Sequence, residues 1–181
     1  MDHKAQLLGA EELGEAVSCF AEAMASKWPG VTKEEATQWV TGEFSHPKSL
    51  VFGVVKQRQI LAVCCLAPLT LVLDELPENE RTLLEKGLVT LASLETAWHF
   101  GGMGARPEWR GGGLGNLFLE EVLTSSKTCG RLVVAQTARP DEKFPSHILG
   151  WLKRHGAREL VLSEKFYYAP DLEKVWVWWN F

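Results

Sequence analysis

The stretch Gly104-Ala105-Arg106-Pro107-Glu108-Trp109-Arg110-Gly111-Gly112-Gly113-Leu114-Gly115-Asn116 constrains this chain more than any other. Before it, Thr96 to Ala105 reads as a strand. After it, Leu114, Leu117, Phe118 and Val122 recur at the spacing of one helical face, to about Ser126. Pro107 cannot donate to a ladder and ends the strand, and the glycines let the chain turn tightly into the helix. A β-rich run from Leu132 to Thr137 follows, so the stretch is the turn of a βαβ unit. Three glycines in a row weaken a helix start unless something needs their bare backbone.

That something is an anion. N–H groups at a helix start, with the positive end of its dipole, form a ready site for a pyrophosphate. A phosphate loop for nucleoside triphosphates needs Gly-Lys-Ser/Thr, and here Gly115 is followed by Asn116 and Leu117. A dinucleotide fingerprint started at Gly111 puts Asn116 where its last glycine belongs, and one started at Gly102 runs into Pro107. Both alternatives fail at named residues.

The remaining elements follow from period and punctuation. Ala5 to Leu8 reads as a short strand, and Glu11 to Ala25 as a helix with Leu13, Val17, Phe20 and Met24 on one face. A second helix opens on Thr32-Lys33-Glu34-Glu35, a capping box with Val31 and Ala36 placed as its staple, and ends before His46-Pro47. Leu50 to Lys56 and Ile60 to Leu66 form an antiparallel hairpin across Gln57-Arg58-Gln59. A helical insertion spans Pro77 to Leu91, with Leu83, Leu84, Leu88 and Leu91 recurring and acids at its start. A helix from Ser146 to His155 stops at Gly156, and Glu159 to Tyr168 and Val175 to Phe181 read as two closing strands. The fold class is α/β, a central mixed sheet with helices on both faces. With 181 residues, no repeats and no linker, one domain is expected.

Arg110-x-x-Gly113-x-Gly115, after the strand-ending Pro107, matches the signature [Q/R]-x-x-G-x-[G/A] and resembles the acetyl-CoA site of the GNAT superfamily of N-acetyltransferases. The element order resembles the GNAT acyl-CoA N-acyltransferase fold over nearly the whole chain. The resemblance implies that the backbone of Arg110, Gly111, Gly112, Gly113, Leu114, Gly115 and Asn116 takes the CoA pyrophosphate. It implies that the main chain of Met103, Gly104 and Ala105 pairs with the pantetheine arm. It also implies an acetyl-CoA-dependent transferase acting on a small-molecule amine or a peptide by direct attack. Two departures stand out: the insertion separates two strands that usually form a hairpin, and Leu152 occupies the position of the family's usual tyrosine acid. A catalytically idle CoA-binding regulatory module is the second expectation.

Composition closes other classes. Nineteen basic against 23 acidic side chains give a net charge of −4 with no basic block, so no nucleic-acid partner is expected. The apolar run from Ile60 to Leu73 is broken by Pro68 and Thr70 and falls short of the roughly 20 residues a membrane span needs. The start of the chain lacks a signal-peptide pattern, so a cytoplasmic protein without a membrane partner is expected. Cys19, Cys64, Cys65 and Cys129 show no metal-binding spacing, and no metal is expected.

Deprotonating an amine near neutral pH calls for a base. His99 is the first candidate and Glu95 its reserve, four residues apart and so on one face of a strand; each can also be a packed or solvated residue. Tyr168, beside Tyr167, is the candidate acid in place of the missing tyrosine. Trp28 and Trp39 flank a connection that contacts the acceptor in GNAT enzymes, and core packing is their other reading. The last strand is apolar on both parities, as for a strand covered on both faces or one that pairs with a second copy in a homodimer.

Overall fold

The computed structural model describes residues 4–28, 30–89, 93–124, 131–140, 148–168 and 172–180. In chain order the elements begin β1 (Ala5–Leu7), α1 (Leu13–Lys27), α2 (Lys33–Ser45), β2 (Leu50–Lys56), β3 (Gln59–Pro68), α3 (Leu69–Glu75) and α4 (Glu78–Leu88). They continue with β4 (Trp98–Ala105), α5 (Leu114–Thr124), β5 (Leu132–Ala138), α6 (Ile148–Arg154), β6 (Arg158–Leu160), β7 (Phe166–Tyr168) and β8 (Leu172–Asn180). The strands are mixed in direction: β4 and β5 run parallel, while β1–β2, β2–β3 and the pairs on β8 are antiparallel.

The chain divides into two compact units, Met1–Ala67 with Phe100–Cys129 and Pro68–His99 with Gly130–Phe181. In the first, the strand order is β1-β2-β3-β4. The expected hairpin is present with a tighter turn than the three-residue connection expected: Gln59 belongs to β3 and opposes Lys56, leaving Gln57 and Arg58 at φ of 50° and 69°. Two left-handed residues in a row match the right-handed twist of the flanking strands. The capping box is complete: Glu35 N–H donates to Thr32 Oγ1 at 3.1 Å, and Thr32 N–H to Glu35 Oε2 at 2.8 Å. Within β4, Gly102 takes φ 55°, and a Cβ there would lie 2.4 Å from the Phe44 ring, so the strand turns aside where only glycine fits.

The buried face of α1 differs from the expected one. Ala16, Cys19, Phe20 and Ala23 face the core, while Leu13, Val17 and Met24 are half-exposed. Small residues win here because the helix lies close to β4: a Cβ on Gly104 would sit 2.8 Å from the Ala23 Cβ.

In the second unit β5 pairs with β8, and β8 holds β6 and β7 along its other edge. The closing strand expected from Glu159 to Tyr168 is therefore two short strands, interrupted between Leu160 and Phe166. β8 is paired on both edges, and Val175, Trp176, Val177 and Trp179 are buried. The insertion starts earlier than Pro77, and its expected end at Leu91 lies outside the described residues. It begins at Leu69, where Pro68 ends β3 and Leu69, Val72 and Leu73 fall on one helical face. With Leu84 and Leu88 they pack on Ala97, Leu132, Val134 and Trp176, so both helices are a core layer of this unit. Helix α6 ends as expected: Gly156 takes φ 90°, its N–H reaches Lys153 O, and Ala157 N–H reaches Leu152 O, closing a Schellman motif. No helix among the described residues is long and apolar enough to cross a membrane.

The hairpin turn gives a test of this local reading. Gln57→Asn with Arg58→Gly places the residues that best tolerate two left-handed conformations. The double variant is expected to gain about 0.5–1 kcal/mol, read as a higher thermal midpoint.

Candidate cofactor site

The end of β4 is fixed by one side chain. Arg106 is 8% exposed, its N–H donates to Leu61 O at 2.9 Å, and its Nε donates to Ile60 O at 2.8 Å. The two terminal nitrogens donate to Glu22 and to Glu15 on α1. Burial works against the guanidinium's charge, but the pull of the Glu22 and Glu15 carboxylates outweighs it and raises the pKa. One side chain thus ties the exit of β4 to β3 and to α1.

The glycine loop starts from this anchor. Pro107–Trp109 makes a 3-10 turn, with Lys56 Nζ 4.7 Å from the Trp109 ring. Arg110 then folds back: its guanidinium donates to Ala23 O at 2.7 Å and Ser26 Oγ at 2.5 Å, and its Nε to Ala105 O at 3.3 Å. A cation on the last carbonyls of α1 suits the helix dipole. Gly111 and Gly113 take φ of 77° and 76°, and a Cβ on either would meet nothing within 4 Å. The glycines are there for backbone conformation, and space above them is open. Leu114 is buried and begins α5, while Gly111, Gly112, Gly113 and Asn116 are exposed. A nest of exposed main chain at the start of an 11-residue helix is therefore on offer. Lys27 stands close enough to Arg110 that, after burial, the guanidinium is the second cause lowering its pKa. Two cations at one place favour an anion between or beside them.

No family model matches this sequence, and no curated protein matches it in sequence. Solved structures do. A protein of Desulfovibrio desulfuricans assigned to the GNAT-family acetyltransferases superposes with a TM-score of 0.64 at 17% identity, over 99% of each chain. The ribosomal-protein-S18-alanine N-acetyltransferase of Escherichia coli gives 0.64 at 11% identity, over 99% of this chain and 94% of that one. The C-terminal condensation domain of Ebony, solved with beta-alanyl-dopamine, gives 0.68 at 14% identity over all of both chains. The chain has the GNAT acetyltransferase fold.

Met103, Gly104 and Ala105, where the GNAT resemblance puts pantetheine pairing, form the last turnless residues of β4 before Arg106; Gly104 is buried against α1. Trp28 caps the end of α1 half-buried, and Trp39 on α2 is 49% exposed, so Trp39 is not a core residue. His99, on β4, is 2% exposed, its ring 6.2 Å from that of Trp176. Glu95 is not on the strand. It lies exposed in a 3-10 turn at Leu94–Thr96, because the ladder of β4 begins only at Trp98, so the shared strand face expected for Glu95 and His99 does not exist. Tyr168 pairs with Leu172 at the end of β7.

Cys19, Cys64 and Cys65 are buried thiols. Burial pushes Cys19 up to about 12, against the pull of Arg106, and raises Cys64 and Cys65 as well, so none of the three is a ready thiolate. Cys129 lies outside the described residues, as does the end of the helix expected to reach Ser126.

Sequence reasoning passed over Arg106 and Lys27. A signal for the first was present: Glu15, Cys19 and Glu22 stand at helical spacing beside the small residues of α1, an acidic stripe next to an apolar face that calls for a cation.

Gly113→Val is the decisive loop variant. Its Cβ has room, so the fold survives, but a β-branched residue at φ 76° costs about 1–2 kcal/mol and displaces the amides. Losing charge-assisted bonds to a phosphate is expected to weaken CoA binding by roughly 10–100-fold in calorimetry, with the thermal midpoint lowered only slightly.

Proposed function

We propose that this chain is an acetyl-CoA-dependent N-acetyltransferase acting on a small-molecule or peptide amine. The observation that carries the reading is the loop from Arg110 to Asn116: Gly111, Gly112 and Gly113 are exposed, with left-handed backbone at Gly111 and Gly113, at the start of α5 and directly beyond a β4 whose end is anchored by Arg106. The GNAT fold, shared over nearly the full length of the chain, supports the reading, as does the resemblance of Arg110-x-x-Gly113-x-Gly115 to that family's acetyl-CoA signature.

Acetyl-CoA supplies an acyl group activated by its thioester. The loop backbone would bind its phosphates, and the main chain of Met103 to Ala105 would align its arm. The amine nitrogen attacks the thioester carbonyl carbon, the carbon–sulfur bond breaks, and the sulfur leaves as CoA thiol after taking up a proton. His99 is the group assigned to accept the amine's proton: an imidazole nitrogen can serve as a general base, and this ring stands on β4 with its centroid 6.2 Å from that of Trp176. The raised pKa values of the described cysteines support direct attack without an acyl-enzyme. Trp39, half-exposed on α2, is assigned to the acceptor. The proteins that share the fold include one named for a ribosomal-protein alanine and one for phosphinothricin, so the acceptor is to be found by assay.

Calorimetry with acetyl-CoA, followed by thiol release over a panel of amines, tests the reading. Saturable binding and turnover on at least one amine are expected; binding with no turnover on any would leave an idle CoA module. His99→Gln is expected to lower turnover roughly 10²- to 10⁴-fold at neutral pH, with acetyl-CoA affinity unchanged and the loss shrinking at high pH, where the amine deprotonates unaided. Normal turnover in the variant would return His99 to the packed core.

A further inference from the structure

The second unit buries a charge for which acetyl transfer has no direct use. Glu80, in the first turn of α4, is 1% exposed, in a unit whose core is Leu69, Val72, Leu73, Leu84 and Leu88 against Leu132, Val134 and Trp176. Its carboxylate accepts from Trp176 Nε1 at 2.9 Å and from Lys174 Nζ at 3.0 Å. Both donors stand on β8, two residues apart, so they leave the same face of that strand. Trp176 is also the ring beside His99, with centroids 6.2 Å apart and planes at 59°.

Stability alone does not account for this arrangement. A buried ion pair exchanged for apolar residues of similar volume is commonly as stable or more so, and a phenylalanine would need no acceptor at all. What the carboxylate adds is direction. Apolar contacts between leucines and an indole let the ring settle in several ways, whereas a hydrogen bond from its Nε1 fixes the ring's rotation, and the ammonium of Lys174 fixes the carboxylate.

We propose that Glu80 is a positioning residue for His99, acting through the indole of Trp176. The proposal rests on the reading that His99 accepts the amine's proton. It gives the inserted helices a role in that reading: α4 delivers the carboxylate that aligns a β8 ring against a β4 imidazole.

The test compares Glu80→Gln with the double variant Glu80→Leu, Lys174→Met, which keeps apolar volume but removes the acceptor from Trp176. Glu80→Met is the second variant if the double one does not fold. Two quantities are read on folded protein: the NMR positions of the His99 ring protons, identified by their loss in His99→Gln, and kcat with the acetyl-CoA Kd. The ring current of Trp176 reports its orientation to His99 directly. In the double variant the His99 resonances are expected to move and kcat to fall on the order of 10²-fold, with the Kd unchanged. Glu80→Gln, whose amide oxygen still accepts from the indole, is expected to restore both. Folded variants without the Glu80 acceptor that leave the His99 resonances in place overturn the proposal. Resonances that move while His99→Gln turns over normally uphold the positioning and instead reject His99 as the proton acceptor.

Discussion

Three hydrogen bonds from one guanidinium hold the first unit in register. Arg106 has acceptors on three sides: a β3 carbonyl, Glu15 and Glu22. The planar fork is suited to that task, because it can meet separate acceptors in one plane while keeping its charge, which a lysine ammonium cannot do. Its position is equally specific. It is the last residue before Pro107, so whatever fixes Arg106 fixes where the strand ends and where the turn begins. Arg110 repeats the device one turn later on the carbonyl of Ala23. Between them, the two arginines tie both ends of the approach to the glycines to α1, and the main chain from Gly111 to Gly113 can stay exposed without losing its shape.

What could be read from the sequence was local. The capping box at Thr32, the hairpin after Lys56, the stop at Gly156 and the strand, proline, glycine loop and helix each depend on a few neighbouring residues, and each stands in the structure, the hairpin turn being one residue shorter than expected because Gln59 joins β3. The partners of Arg106 are 84 and 91 residues away, and spacing alone does not pair them. The same limit explains the face of α1: periodicity favoured its larger apolar residues, but the close approach of Gly104 selects alanines. It also explains the start of the insertion. Leu69 to Leu73 has the residues of a strand, and only packing against Ala97, Leu132 and Trp176 makes it a helix. Glu95 failed for a boundary reason, two or three residues at the start of a strand deciding whether it shares a face with His99.

The two units handle buried charge in different ways. Arg106 pairs with carboxylates that keep part of their surface in water, Glu15 at 44% and Glu22 at 28%, which eases the cost of desolvation. Glu80 has no such relief, and Lys174 is nearly as enclosed. A polar group kept at that cost in a leucine layer is more readily understood as a means of orienting Trp176 than as a source of stability.

The central claim is that exposed backbone at the start of α5 binds acetyl-CoA. Amide NMR of the uniformly labelled protein, titrated with acetyl-CoA, tests it at the atoms concerned. The largest shifts are expected at Gly111 to Asn116, with a second group at Met103 to Ala105. Saturable binding that left those amides unmoved, or no saturable binding at all, would contradict the account.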